Sequence, residues 1–334
     1  MSLAACGPRQ AEWTTLRGNA QGSTFTITYH DSLGRDLHAV VDSLFQVIDS
    51  SLSLWVEGST VVRFNATADS FITADRHFQV VAALARQQWL STDGAFDPTV
   101  LPLVRAWGLG RQGQAELDTT AVDSLLRCVG MDRIRIPDSW EGSAGGLMFR
   151  KAAPCMEFDP NGIAQGYTVD MLALLLRQRG IERFMVEVGG EVRSSGMNSR
   201  DTDWTIQIDK PVAGQDHVQQ TVVPLRDRAL ATSGNYRKFM EVGGRRYGHT
   251  IDPRSGRPAM NALLSASVIA DDCATADALG TALMVMGPQQ AIDWLQVHPE
   301  VDAYLVLDNG NGGYHIWSTP GWPEGQEDPP GAVP

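Results

Sequence analysis

Asp277 and Thr281 stand four residues apart in a stretch, Ala274 to Met286, whose spacing predicts a helix, so a carboxylate and a hydroxyl share one face. Two hard oxygen donors in that arrangement suit Mg2+, which completes its shell with waters and substrate phosphate. The same two letters also describe a solvated aspartate favoured near a helix N-terminus. A second candidate is the turn Asp159-Pro160-Asn161-Gly162, which leads into a predicted helix. Its amides can face an anion, and Gly162 lets backbone approach a ligand and offer a carbonyl to a metal. The plainer reading is a helix capped by Asp159 or Asn161. His249 lies just before Ile251-Asp252-Pro253-Arg254-Ser255-Gly256, a proline-containing turn. An imidazole there can serve as a general base or phosphate ligand, or can simply face solvent. Gly94 to Thr99 is either a ligand loop or a turn, and Gly189-Gly190-Glu191 either a close backbone approach or a bulge. No GxGxxG and no Walker loop is present, so the usual dinucleotide and nucleotide readings lack their fingerprint.

The elements that must hold these residues alternate between two periods. Residues 22–30 alternate apolar and hydroxyl side chains and predict a strand. Leu37, Val40, Val41, Leu44, Val47, Ile48 and Leu52 recur at helical spacing over 36–52, and a second helix is predicted over 76–90. A short helix follows Thr119 or Thr120 and stops at Gly130. The central unit reads as strand (155–158), turn (159–162), helix (163–179) and strand (184–188), with Gly180 as the helix stop. Further strands are predicted over 204–208, 266–270 and 303–307, and helices over 274–286 and 289–297, separated by Gly287-Pro288. Helices interspersed with alternating strands predict an α+β fold. Residues 1–17 are expected to be a leader remnant and linker, 18–318 one domain, and the Pro-, Gly- and Glu-rich 319–334 a flexible tail.

Composition narrows the partners. The 334-residue chain is 43% hydrophobic, ample for a core, and its net charge of −12 argues against a nucleic-acid partner. No apolar run approaches the ~18 residues that span a bilayer. Leu3-Ala4-Ala5-Cys6-Gly7 resembles a bacterial lipobox, in which the cysteine is lipidated. The expectation is a lipid anchor at Cys6 in the bacterial cell envelope, periplasm-facing or on the outer surface. An ordinary start with a chance cysteine is the alternative. Cys128, Cys155 and Cys273 form no zinc spacing, and a Cys128–Cys155 bridge is open to an oxidising compartment.

Taken together and in order, Gly94 to Thr99, Asp159 to Tyr167, His249 to Pro253 and Ala276 to Thr281 resemble the ApbE family of FAD:protein FMN transferases. Ser53-Leu54-Trp55, Val62-Arg63-Phe64-Asn65, Pro102 to Gly108, Val188 to Glu191 and Ala231 to Tyr236 extend the resemblance from about Gly22 to Trp317. The resemblance implies mainly antiparallel sheets with packed helices and an FAD site in a cleft between two halves. It implies metal ligation by Asp277, Thr281 and the Gly162 carbonyl, and FAD contacts at Gln21, Trp55, Ala95, Phe96, Asp97, Asp159, Gln165 and Ile251. It puts His249 where the family has a histidine implicated in catalysis. Gln165 departs from the usual Lys or Glu, Gln21 from a common Met, and Gly280 from an acidic residue sometimes found beside the metal threonine.

The activity implied is transfer of FMN from FAD to a threonine of an acceptor protein, with release of AMP and dependence on Mg2+. The acceptor implied is of the membrane redox-complex subunit type. His249 and Asp252 are both candidates to take the threonine proton. Two alternatives use the same residues: an FAD pyrophosphatase in which water attacks, and a lipoprotein that binds FAD without chemistry.

Overall fold

Eight strands form one sheet in chain order. They are β1 (Glu12–Ala20), β2 (Ser23–Asp31), β3 (Phe184–Val188), β4 (Glu191–Ser195), β5 (Ala229–Gly234), β6 (Leu263–Ala270), β7 (Asp302–Asp308) and β8 (Tyr314–Ser318). Every neighbouring pair is antiparallel, from Glu12 opposite Asp31 at one edge to Tyr304 opposite Ser318 at the other. The structure, a computed structural model, describes residues 12–68, 72–108, 119–136, 147–210, 219–234, 239–242, 245–248, 250–311, 313–324 and 326–327.

Alternation explains the sheet. On β2, Phe25, Ile27 and Tyr29 are buried while the residues between them are only partly so, the two-residue period of a strand with one face on the core. Helix α3 (Ala164–Arg177) covers that face with Val169, Leu172, Ala173 and Leu176. Helix α4 (Cys273–Gln296) covers the other end of the sheet with Ala276, Leu279 and Leu283 against Ala266, Val268 and Leu305. On the opposite face, strands Trp204–Asp209 and Gln219–Leu225 pack Ile206, Ile208 and Val223 onto Val192, Leu230 and Ile269.

The long excursion between β2 and β3 builds a second core. Helices His38–Leu52, Thr60–Ala66 and Arg76–Ser91 surround an aromatic cluster in which Phe78 lies 5.3 Å from Phe64, 5.3 Å from Phe149 and 5.4 Å from Phe158, ring centre to ring centre. Tyr167 of α3 and Ala274, Ala278 and Ala282 of α4 also belong to this core. The two helices therefore form the wall between sheet and helical cluster.

Most predicted elements appear within a few residues of their expected bounds, and three findings differ. Cys155 to Phe158 is not a strand; the segment has no ladder partner. Side chains replace the ladder. The Asn65 amide donates to the Phe158 carbonyl (3.0 Å) and accepts from its N–H (2.7 Å), and Lys151 Nζ donates to the carbonyls of Phe64 and Met156, each at 3.0 Å. Burial pushes the Lys151 ammonium pKa down, and those carbonyls solvate it instead of water. Strand β1 begins at Glu12, inside the stretch expected to be linker; its pairing with β2, rather than its own weak alternation, makes it a strand. The expected separation of the helices over 274–286 and 289–297 is present: Gly287, with a φ of 72°, breaks the helix before Pro288. The tail is docked as far as residue 324: the Ala303 N–H donates to Thr319 Oγ1 at 3.1 Å, and Trp322 lies 5.5 Å from the Tyr304 ring. Gln326 and Glu327 pair with Val222 and Thr221.

Cys128 and Cys155 are joined by a disulfide with their Cα atoms 5.4 Å apart. The bridge pins the segment leading to Asp159 onto the turn that follows helix Thr119–Leu126. Cys273 is buried and free.

Candidate active site

Helix α3 starts without a side-chain cap of its own. Its N-cap residue is Ile163, which cannot cap. Asp159 instead accepts the Asn161 N–H at 2.9 Å and so shapes the turn, correcting the expectation that Asp159 or Asn161 caps the helix. The cap comes from the neighbouring helix: Asp277 Oδ2 of α4 accepts the Gly166 N–H at 3.1 Å. The two helices can come that close because residue 166 is glycine; a Cβ there would lie 2.3 Å from the Cys273 carbonyl oxygen.

The turn before α3 is fixed to the Gly94–Thr99 loop. The Asp159 N–H donates to the Pro98 carbonyl at 2.6 Å. Asp97 organises that loop from within: Oδ1 accepts the Thr99 N–H (2.8 Å) and hydroxyl (2.5 Å), and Oδ2 accepts the Met131 N–H at 3.1 Å. Burial pushes both Asp97 and Asp159 up to about 6. Gly162 then sits where three segments converge. A Cβ on it would be 3.2 Å from Phe96 Cε2 and 3.2 Å from Thr281 Oγ1. Gly162 and Thr281 are thus brought together, with Asp277 one turn before Thr281 on the same helix.

Glu191, at the start of β4, completes the surroundings. The ideal Cβ position of Gly189 is 2.4 Å from Gln165 Nε2 and 3.2 Å from Glu191 Oε2, so the Gln165 amide lies against the turn beside that carboxylate. Glu191 and Asp277 are 8% and 6% exposed. Burial pushes Glu191 well up, and the Asp277 charge pushes it further; burial carries Asp277 to about 7 against the one N–H bond that lowers it. Glu191 Oε2 is buried with no hydrogen-bond partner. Among the described residues no arginine, lysine or histidine forms an ion pair with either carboxylate. Two buried carboxylates, a hydroxyl and an approachable backbone are a donor set that fits a hard divalent cation. No group of three His, Cys, Asp or Glu side chains comes together among the described residues, so the donors are of mixed type.

The other expected contacts scatter around this centre. Gln21, at φ 52° in the β1–β2 turn, donates from Nε2 to Asp49 Oδ1 (3.1 Å) and Thr168 Oγ1 (3.0 Å), which leaves its Oε1 buried and unpartnered. Ala95 and Phe96 are buried in the helical core. Trp55 is 79% exposed on the loop after the helix His38–Leu52, an open aromatic face for a ring to stack on. Ile251 packs with Leu103 and Val129, and its backbone pairs with Pro258 in a short antiparallel ladder. Asp252 accepts the Arg254 guanidinium at 2.9 and 3.1 Å. His249 lies outside the described residues. Gly280 has no room for the acidic side chain sometimes found there, since a Cβ would be 2.9 Å from Ser233 Oγ.

A sequence profile of the ApbE family matches residues 21–305. The chain belongs to the ApbE family. A relative named FAD:protein FMN transferase from Vibrio cholerae is 36% identical over 318 residues, which cover 93% of this chain and 92% of the relative. One of the same name from Haemophilus influenzae is 31% identical and covers 93% and 91%. Among solved structures, the flavin transferase ApbE from Vibrio cholerae superposes with a TM-score of 0.80 at 31% identity, covering 93% of this chain and 98% of that one. The apo form of the Pseudomonas stutzeri flavinyl transferase ApbE gives 0.83 at 31% identity, covering 93% and 96%. The mainly antiparallel α+β architecture is therefore that of the ApbE family.

The sequence singles out Gly189-Gly190-Glu191 for its glycines alone; the buried carboxylate of Glu191 was signalled only by its place directly after a Gly-Gly turn at the head of a core strand.

Proposed function

We propose that this chain transfers FMN from FAD to a threonine hydroxyl of an acceptor protein, releasing AMP in a Mg2+-dependent reaction. The observation that carries the reading is the buried Asp277–Glu191 pair, free of any cationic side chain among the described residues, beside Gly162 and Thr281 in a member of this family. Asp277, Thr281 and the Gly162 carbonyl would hold the cation. When bound, it supplies charge neutralisation at the pyrophosphate.

The remaining work falls to the chain itself. Gln21, Trp55, Gln165 and the Phe96–Asp97 and Asp159 turns would bind and orient FAD, as the family resemblance implies. The threonine oxygen forms a bond to the FMN-side phosphorus, the bridging P–O bond breaks, and the electron pair leaves with AMP. A base takes the threonine proton. Asp252 already spends both oxygens on Arg254, which favours His249, whose imidazole suits a base near neutral pH.

A cell-envelope location is part of the proposal. The Cys128–Cys155 disulfide belongs to an oxidising compartment, and Cys6, outside the described residues, is the proposed lipid anchor. Among the described residues no helix is long and apolar enough to cross a membrane. An acceptor of the membrane redox-subunit type fits that location.

Incubation of the chain with FAD, Mg2+ and a threonine-bearing acceptor tests the reading. Mass spectrometry is expected to find covalent FMN on the threonine and AMP in equal amount. FAD cleavage at the same rate with and without acceptor would assign water as the nucleophile. FAD binding without any AMP would withdraw the enzyme reading.

A further inference from the structure

Among the described residues, Glu191 is a buried charge near the cation donors that neither the fold nor the proposed chemistry has yet used. Its Oε2 is buried without a partner. A buried carboxylate normally collects two or three donors or an arginine, and leaving one unsatisfied is costly. The neighbouring charges, Asp277 and Glu187, are of the same sign and make matters worse. Gln165 supplies only a neutral amide on the near side of the turn. Four residues away along the same hairpin, the chain shows that it can do otherwise: Glu187 accepts the Gly190 N–H at 3.0 Å. Two carboxylates have been buried within electrostatic reach of each other, and among the described residues no cationic side chain pairs with either, an arrangement that a bound cation would relieve.

Resting on the cation reading above, we propose that Glu191 is the second negative charge of the divalent-cation site, acting with Asp277 on the same ion. Mg2+ keeps several waters when it binds protein carboxylates, so Oε2 can engage it through one of them. Removing such a supporting carboxylate typically weakens metal binding about 10- to 100-fold. A second negative charge also explains how a cation site can dispense with the acidic side chain excluded at Gly280 by Ser233.

Glu191→Gln tests this, because it removes the charge and keeps the shape. The probe is Mn2+ alone and Mn2+ with FAD, followed by electron paramagnetic resonance, together with thermal unfolding with and without Mg2+. Cation affinity is expected to fall about 10- to 100-fold. The metal-free variant is expected to melt higher than the metal-free wild type, since a buried repulsion is relieved, and its Mg2+-induced rise in Tm is expected to shrink. A structural role predicts the reverse: a lower metal-free Tm and an unchanged Mg2+-induced rise. That result, or Mn2+ affinity within twofold of wild type, overturns the proposal. If the glutamine variant does not fold, Glu191→Asp, which keeps the charge but retracts it, is expected to weaken Mn2+ binding; unchanged binding there also overturns it. Asp277→Asn serves as the reference. Lost binding there with intact binding in Glu191→Gln rejects Glu191 alone, whereas no binding by the wild type with or without FAD rejects the cation reading as well.

Discussion

Helices α3 and α4 cap each other with one aspartate apiece, and the two aspartates have opposite fates. Asp170 of α3 accepts the N–H groups of Cys273 (3.0 Å) and Ala274 (2.9 Å) at the start of α4. Asp277 of α4 accepts the Gly166 N–H at the start of α3. Asp277 is buried and Asp170 only slightly less so, and burial pushes both up. Strand β4 then separates them. Arg193 pairs with Asp170, while Glu191, two residues earlier and so on the same face, adds a second negative charge near Asp277. With its donors and its arginine, Asp170 is a closed structural contact. Asp277 accepts one N–H, has a like charge nearby and pairs with no cationic side chain among the described residues, which suits the proposed cation. The same residue type and capping duty therefore produce a staple or, in the proposed reading, a cation seat according to a single strand neighbour.

The sharpest way to break this comparison is to neutralise the open member. Asp277→Asn is expected to reduce FMN transfer on the order of 10³-fold, about 4 kcal/mol of barrier, without lowering metal-free stability; single-turnover assays with FAD and acceptor, and urea unfolding, measure the two. Asp170→Asn should do the opposite. It strands Arg193 in a largely buried site and is expected to cost about 3 kcal/mol of stability, seen as a lower urea midpoint with the Mg2+-induced rise in Tm retained. Equal behaviour of the two variants would end the distinction.

Smaller effects sharpen it. Reducing the Cys128–Cys155 bridge frees a loop with a sequence separation of 27, and is expected to cost about 2–3.5 kcal/mol of stability, read by unfolding with and without reductant. Thr281→Val is expected to cost about tenfold in transfer, roughly 1.4 kcal/mol, because water can replace a neutral hydroxyl but not the Asp277 charge. Asp31 gives the pH control for a closed carboxylate far from the site. The Arg35 guanidinium, hydrogen-bonded to it at 2.8 Å, holds its carboxyl well below the usual range against the opposing effect of burial. A depressed folded pKa means that this stability is present above about pH 4 and is lost as the pH falls below it. Because Arg35 is partly exposed, the loss is expected to be about 1 kcal/mol, and Asp31→Asn should remove that part of the acid slope in pH-dependent urea unfolding.

Much of the architecture was legible in local sequence. Alternation in residues 22–30 and the helical spacing of 163–179 predict elements that appear as β2 and α3 within two residues of their bounds. Asp277, Thr281 and Gly162 were also legible as candidates, because residue type and i,i+4 spacing are properties of the chain alone. Cys155 to Phe158 was not legible: four residues that look like a strand form no ladder, because Asn65, distant in sequence, bonds the Phe158 backbone and Lys151 the Met156 carbonyl. The tail was misjudged for a related reason, since Thr319 and Trp322 find partners on β7 that composition cannot show.

What the sequence determined by itself is therefore the set of elements, the family resemblance and the donors a cation would need. Tertiary structure decided which carboxylates are left without a partner. A buried charge is stable or unstable according to its neighbours across the fold, and Glu191, Arg193, Asp170 and Asp277 become neighbours only when β4 lies against the crossing of α3 and α4.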